Sequence, residues 1–286
     1  MPTAVERGAN FLSNILKLNA IDNRGAEAAF PILAGQVDAG ITALGDASSR
    51  QGFAAADRTY GEVFAGLGYG AFGLGADLQR DAFVFDIVNL VLGGTNAFGG
   101  GGGSGTQADF GTLDRALFGA GGDLETFGAD FASLGRVRSQ TAFTTLETKL
   151  QGDATMLAGD FSALGGDLGT LVSDLDGGAN AVTTAPSPYA ALAAVLTGVE
   201  TQFSTIGTDF AGLAKAFGGG GGSGSPILTA SVLSTASSGG GGAGTPYGTA
   251  FTSLDTDFLA LDKSFQSLGA PLANLLLPAV SSPTTT

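Results

Sequence analysis

The sequence predicts an all-α fold of long amphipathic heptad helices, packed as a bundle or an antiparallel coiled coil and joined by flexible Gly-rich linkers. Three observations predict it. A unit Asp-Phe-x-x-Leu recurs at 109–113, 130–134, 160–164, 209–213 and 257–261, with a Leu-for-Phe version at 167–171. Apolar residues extend each unit in seven-residue steps, so a 3.5-residue period lines them along one edge of a helix. Glycine tracts separate the periodic segments, and such tracts behave as flexible coil because glycine has the most backbone freedom to lose and nothing to bury.

Residues 1–98 read as an N-terminal helical unit. Phe30, Leu33, Val37, Ile41 and Leu44 fit one helix, and Tyr60, Val63, Phe64 and Leu67 fit another. Gly66, Gly68, Gly70, Gly73 and Gly75 are expected to interrupt that second helix, leaving an irregular middle. Residues 99–107 form the first Gly-rich linker. Residues 108–176 hold heptad helices A (108–135) and B (141–176); the Phe143, Leu146, Leu150, Ala154 spacing between them is a stutter that leaves one rod or two equally open. A Gly/Pro linker at 177–188 leads to helix C at 189–217. A Gly/Ser-rich linker at 218–246 precedes helix D at 247–277, and 278–286 is expected to be a disordered tail.

The expected interaction seam follows from the period. It comprises Phe110, Leu113, Leu124, Phe127, Phe131 and Leu134 on A, then Phe161, Leu164, Leu168 and Leu171 on B. Helix C contributes Phe203, Ile206, Phe210, Leu213 and Phe217; helix D contributes Phe251, Leu254, Phe258, Leu261, Phe265 and Leu268. The place after the second apolar position of each heptad (Leu113, Phe127, Leu134 and their equivalents) is often small, as at Gly128, Gly135, Ala158, Gly165, Gly207, Ala214 and Gly269, which predicts close approach of a neighbouring backbone. The place before each seam Phe is often Asp. Asp109, Asp123 and Asp130 on A and Asp153, Asp160, Asp167 and Asp174 on B form acidic stripes, expected as solvated flanks. Like charges along such a stripe disfavour parallel pairing of identical helices and favour antiparallel ones.

Missing residue types exclude whole chemistries. The 286 residues contain no Cys, His or Trp, so thiolate zinc sites, haem ligation, disulfides and imidazole-based catalysis are ruled out. A net charge of −14 argues against nucleic acid as a partner. The 49 Gly and 9 Pro make up about one-fifth of the chain, short of the level that marks a wholly disordered one. The run Phe83 to Leu92 includes Asp86 and Asn89 and is about half the length of a membrane span, so no transmembrane helix is predicted. The start, Met1 to Leu18, lacks the basic region of a Sec signal.

Weaker patterns receive structural readings. Gly68-Tyr-Gly-Ala-Phe-Gly73 has the letters of a dinucleotide loop but no preceding strand, and reads as a helix interruption or a close-packing turn. Asp174-Leu-Asp176-Gly-Gly and Asp255-Thr-Asp257 have two carboxylates each but no closing Glu of a calcium loop. No catalytic residue, cofactor or metal site is predicted. The composition is similar to that of glycine-rich surface proteins of high-GC bacteria, such as the PE/PPE group, although their Pro-Glu or Pro-Pro-Glu starts are absent. That similarity implies an envelope or extracellular location, with the cytoplasm as the alternative. The expected function is non-catalytic: a structural or assembly protein that self-associates or docks a helical partner through the seam. The alternative is an amphipathic-helix coat on a neutral-lipid or granule surface; an enzyme would need convergent polar loops that this chain does not suggest.

Overall fold

The computed structural model describes residue 33 and residues 36–93, 103–179, 188–218 and 246–281. Among them there are only helices and the turns between them. Residues 36–45 form α1, followed by α2 (Arg50–Gly93), α3 (Gly103–Ser133), a 3₁₀ turn (Leu134–Arg136), α4 (Gln140–Ala179), α5 (Pro188–Gly218) and α6 (Pro246–Ser281). The protein is an all-α bundle in which each long helix neighbours the next in chain order, and α6 returns lightly to α2.

Local chemistry sets most boundaries. Ser49 and Ser139 precede α2 and α4, and their hydroxyls accept the N–H of Gly52 (3.2 Å) and Ala142 (3.3 Å), donors that have no partner inside the helix. Proline opens α5 and α6 at their first positions, where its missing N–H costs nothing. The break between α3 and α4 settles the stutter as a turn between two rods. Arg138 holds that turn by donating to the carbonyls of Gly135 (3.2 Å) and Val137 (2.7 Å) and by pairing with Asp57 of α2 at 2.6 Å. On the outer faces many threonines donate to the carbonyl four residues back, as Thr201 does to Thr197 at 3.0 Å, which satisfies the hydroxyl without leaving the helix.

Three boundaries differ from the sequence reading. The residues from 50 to 93 are one continuous helix of 44 residues, with no interruption at Gly66 to Gly75. Helix α3 starts at Gly103, inside the stretch expected as linker, and α6 runs to Ser281, into the expected tail. The parts of the other expected linkers and tail at 180–187, 219–245 and 282–286, like residues 1–32, lie outside the described residues.

Three of the α2 glycines, Gly61, Gly68 and Gly75, are explained by α3 and the turn that follows it. A Cβ added at Gly68 would collide with the carbonyl oxygen of Gly128 and would lie 2.7 Å from Ala132 Cβ. One added at Gly121 would lie 2.6 Å from the oxygen of Gly75, and Gly135 sits against Gly61 in the same way at 3.2 Å. These three pairs recur every seven residues and run in opposite directions, so α2 and α3 touch backbone to backbone along an antiparallel seam. Tertiary contact here outweighs the helix penalty of glycine, about 0.8–1 kcal/mol per residue. The α4/α5 seam uses the same device with a hydroxyl added: Gly165 faces Ser204 and Gly207 faces Ser162, again antiparallel.

Asp38 of α1 locks the first turn of α6. Its carboxylate accepts the N–H of Gly248 at 2.8 Å and of Tyr247 at 3.2 Å, a cap supplied from 209 to 210 residues away. The Tyr247 hydroxyl donates to Ala216 at 3.0 Å, and its ring lies 5.0 Å from that of Phe217. Burial and the nearby carboxylates of Glu147 and Asp38 push the Tyr247 phenol well above its ordinary pKa, so it stays protonated and donating. Asp38→Ala is expected to cost about 1–2 kcal/mol in denaturant unfolding, with Asp38→Asn intermediate because its single amide oxygen can replace only one of the two accepting carboxylate oxygens.

Candidate functional site

Every predicted seam residue is inside. None of those from Phe110 to Leu268 named above is more than 5% exposed. What covers them is the chain itself. Of the 20 phenylalanines in the sequence, eleven form one connected spine with ring centroids 5.1–6.2 Å apart. It runs Phe64, Phe131, Phe127, Phe210, Phe161, Phe203, Phe265, Phe85 and Phe110, with Phe251 branching from Phe131 and Phe258 from Phe161. All five long helices contribute. Phe127 with Phe210 joins α3 to α5 across the bundle, and Phe131 with Phe251 joins α3 to α6. Aromatic pairs in these edge and offset geometries add about 0.5–1.5 kcal/mol beyond burial. In the closed bundle the seam is thus occupied by its own helices.

One exposed surface was not singled out by the heptads. Tyr69, Phe72 and Phe83 of α2 are 70%, 47% and 53% exposed, and Phe118 of α3 is 59% exposed. At about 100° per residue the three α2 rings fall within about 60° of one another around the helix. The tight seam places Phe118 on the same side: Gln79 lies against Gly121, and Glu125 against Gly75, on the outer edge. Phe83 is one turn beyond Gln79, and Phe118 is two turns before Glu125. Four aromatic residues therefore line the outer edge of the α2/α3 pair. Their signal was the 3, 11 spacing from Tyr69 to Phe72 and Phe83, legible only once residues 50–93 are read as one helix.

The acidic stripes are only in part the solvated flanks expected: Asp174 is exposed, whereas Asp153 is buried and the others are half-buried. Across the antiparallel α3/α4 seam Asp130 faces Asp153, Asp123 faces Asp160, and Asp109 faces Asp174. Across α5/α6 Asp209 faces Asp257. Antiparallel packing avoids parallel repulsion but still brings these like charges together, because each α3/α4 pair stands equidistant from the turn that joins the two helices. Asp153 is only 8% exposed, and the Oδ2 atoms of Asp109, Asp153, Asp160 and Asp209 are buried and receive no hydrogen bond from any donor. Burial, then the facing Asp130, pushes Asp153 up to about 6, and burial with Asp123 does the same to Asp160. Burial and Asp257 push Asp209 up to about 7, and burial with Asp174 and Asp167 raises Asp109. Lys149 offsets part of this at one end, pairing with Asp130 at 2.6 Å.

The other candidates separate. Gly68 to Gly73 lies mid-helix, where Gly68 serves close packing. Asp257 faces Asp209 while Asp255 is buried with its Oδ1 unpartnered, so the two carboxylates do not form one calcium cradle. Asp174 faces Asp109, and the Asp176 side chain lies outside the described residues. A cavity of about 260 Å³ on α6 is lined by Thr249, Thr252, Ser253, Thr256 and Asp257. It gathers hydroxyls around a single carboxylate. Among the described residues no helix is long and apolar enough to cross a membrane, and no three acidic side chains cluster as metal ligands.

The class these features define is an antiparallel all-α bundle with an aromatic spine. Comparison with protein-family models, with curated proteins and with solved structures found no match for this chain.

Proposed function

We propose that this protein is a non-catalytic structural or assembly protein that self-associates through the outer edge of the α2/α3 pair. The observation that carries this reading is the exposed aromatic stripe of Tyr69, Phe72, Phe83 and Phe118 on an otherwise well-sealed bundle. Large exposed rings gathered on one face mark interaction sites in soluble proteins, whereas isolated ones do not. Aromatic side chains are also enriched where partners bury surface, because they supply area at low rotamer cost. The tight glycine seam beneath supports the same reading, since it holds the rings on two helices whose relative position is fixed.

Sedimentation velocity across a concentration series tests it. The wild type is expected to associate, and Tyr69→Ser/Phe72→Ser/Phe83→Ser/Phe118→Ser is expected to sediment as a monomer with unchanged helicity. A wild type that stays monomeric at every concentration would reject self-association. A second reading, a coat on neutral lipid, is supported by the same stripe, which gathers four exposed rings on one edge of the bundle. It predicts co-flotation of the wild type with neutral-lipid droplets and loss of flotation in the same variant.

A further inference from the structure

The carboxylate pairs have a distribution that the outer stripe does not explain. The α2/α3 and α4/α5 seams are tight and built on glycine, alanine and serine, whereas the facing aspartates occupy the α3/α4 and α5/α6 seams. The bundle is therefore two closely joined helix pairs plus α6, held to one another across seams whose polar edges consist of carboxyl facing carboxyl. Two ionised carboxylates have no donor to offer each other. One proton per pair turns the repulsion into a charge-assisted hydrogen bond, one of the stronger kinds available.

We propose that the Asp109–Asp174, Asp123–Asp160, Asp130–Asp153 and Asp209–Asp257 pairs form a proton-operated latch, closed when each pair shares a proton and released as those protons leave. Other charged groups stand on the surrounding elements, among them Asp255 of α6 and Glu147 of α4, both raised by burial. On α4, Asp167 adds negative charge beside Asp109, and Lys149 pairs with Asp130. On α2, Asp57 pairs with Arg138, Arg80 with Asp77, and Asp86 faces Asp114 of α3. On α5, Glu200 lies beside Gly169 of α4, and Lys215 is exposed. Asp123 also acts on Asp153. The pairs at the middle and far end of the α3/α4 seam thus lack the cation that Asp130 has, and the seam can part from the end opposite the Arg138 turn.

The sign follows from the folded chain holding these protons more tightly than unfolded aspartates, which titrate near 3.9. The stability they supply is complete below about pH 4 and is lost as pH rises through about 6 to 7. Release exposes the inner faces of α3 and α4, and with them part of the aromatic spine.

Thermal melting of the full chain from pH 5 to pH 8, combined with amide hydrogen exchange corrected for intrinsic base catalysis, tests the latch. The wild-type melting temperature is expected to fall by roughly 5 °C or more over that range. Exchange is expected to quicken along the facing sides of α3 and α4 before it does so along α2/α3. Asp109→Asn/Asp153→Asn/Asp160→Asn/Asp209→Asn supplies a permanent donor to each facing carboxylate and is expected to lose most of the wild-type pH dependence, melting at pH 8 close to the wild-type value at pH 5. Should that variant not fold, Asp123→Asn/Asp257→Asn places the donor on the opposite side and carries the same expectation for its pairs. A wild-type melting temperature that is flat or rises from pH 5 to pH 8 would overturn the proposal. So would an amide variant that keeps the wild-type slope, or exchange that quickens uniformly. Equal restoration at pH 8 by millimolar calcium would also overturn it, by making a divalent ion rather than a proton the bridging species.

Discussion

Phe161→Ala is expected to destabilise the protein by about 3–5 kcal/mol, at the upper end of what one core substitution costs. The reason is position. Phe161 is fully buried and is one of the two branch points of the spine, with Phe210 at 5.6 Å, Phe258 at 5.7 Å and Phe203 at 5.8 Å. Truncation leaves a cavity bounded by three other rings on two helices, each held by its own neighbours, so the site cannot collapse easily. The melting temperature is expected to drop by roughly 10 °C or more. Phe217→Ala, which removes a ring bound to Tyr247 outside the spine, is expected to cost less. A loss below about 1 kcal/mol for Phe161→Ala would mean that the ring is not enclosed as described.

The second large effect has the unusual property of a sign that depends on place alone. Gly128→Ala is expected to lower stability by about 2–3 kcal/mol, because the new methyl would overlap the carbonyl oxygen of Gly68 and lie 2.8 Å from the backbone nitrogen of Phe72. Both neighbours are main chain and cannot rotate aside. Gly152→Ala makes the same chemical change in a helix with nothing within 4 Å of the added carbon. It is expected to raise stability by about 0.8–1 kcal/mol through helix propensity. Urea unfolding of the two variants separates them cleanly. Equal stabilisation by both would show that α2 and α3 do not approach as closely as the glycine register requires.

The long helices from 103 onward were legible because Phe and Leu kept a seven-residue beat, and burial against sister helices is the only arrangement that satisfies such a beat in water. The small residues after Phe127, Leu164 and Ile206 were legible for the same reason, and Gly128, Gly165 and Gly207 do meet neighbouring helices. Helix α2 was not. Five glycines between 66 and 75 argue against a helix by intrinsic propensity, and for Gly68 and Gly75 it is the matching glycines of α3, more than 40 residues away, that make them favourable. Reading α2 as broken then hid the Tyr69, Phe72 and Phe83 stripe, whose spacing has meaning only on a continuous helix. The acidic stripes were visible, but their fate depended on geometry. A carboxylate row next to an apolar seam is solvated on a lone helix and confronts its counterpart in a hairpin. Asp123 and Asp160 stand symmetrically about the turn near residue 141, a relation that becomes readable only when the α3/α4 hairpin is assumed.

The central claim is that the apolar seam is satisfied within one chain. It is tested most directly by ring-to-ring magnetisation transfer in protein that is deuterated except at phenylalanine, recorded once on uniformly labelled chains and once on a mixture of labelled and unlabelled chains. Cross-peaks between the Phe161 ring and those of Phe203, Phe210 and Phe258 are expected in the first sample, and none between labelled and unlabelled chains in the second. Absence of those cross-peaks, or their appearance only between different chains, would contradict the closed bundle and return the seam to the role of a surface awaiting a partner.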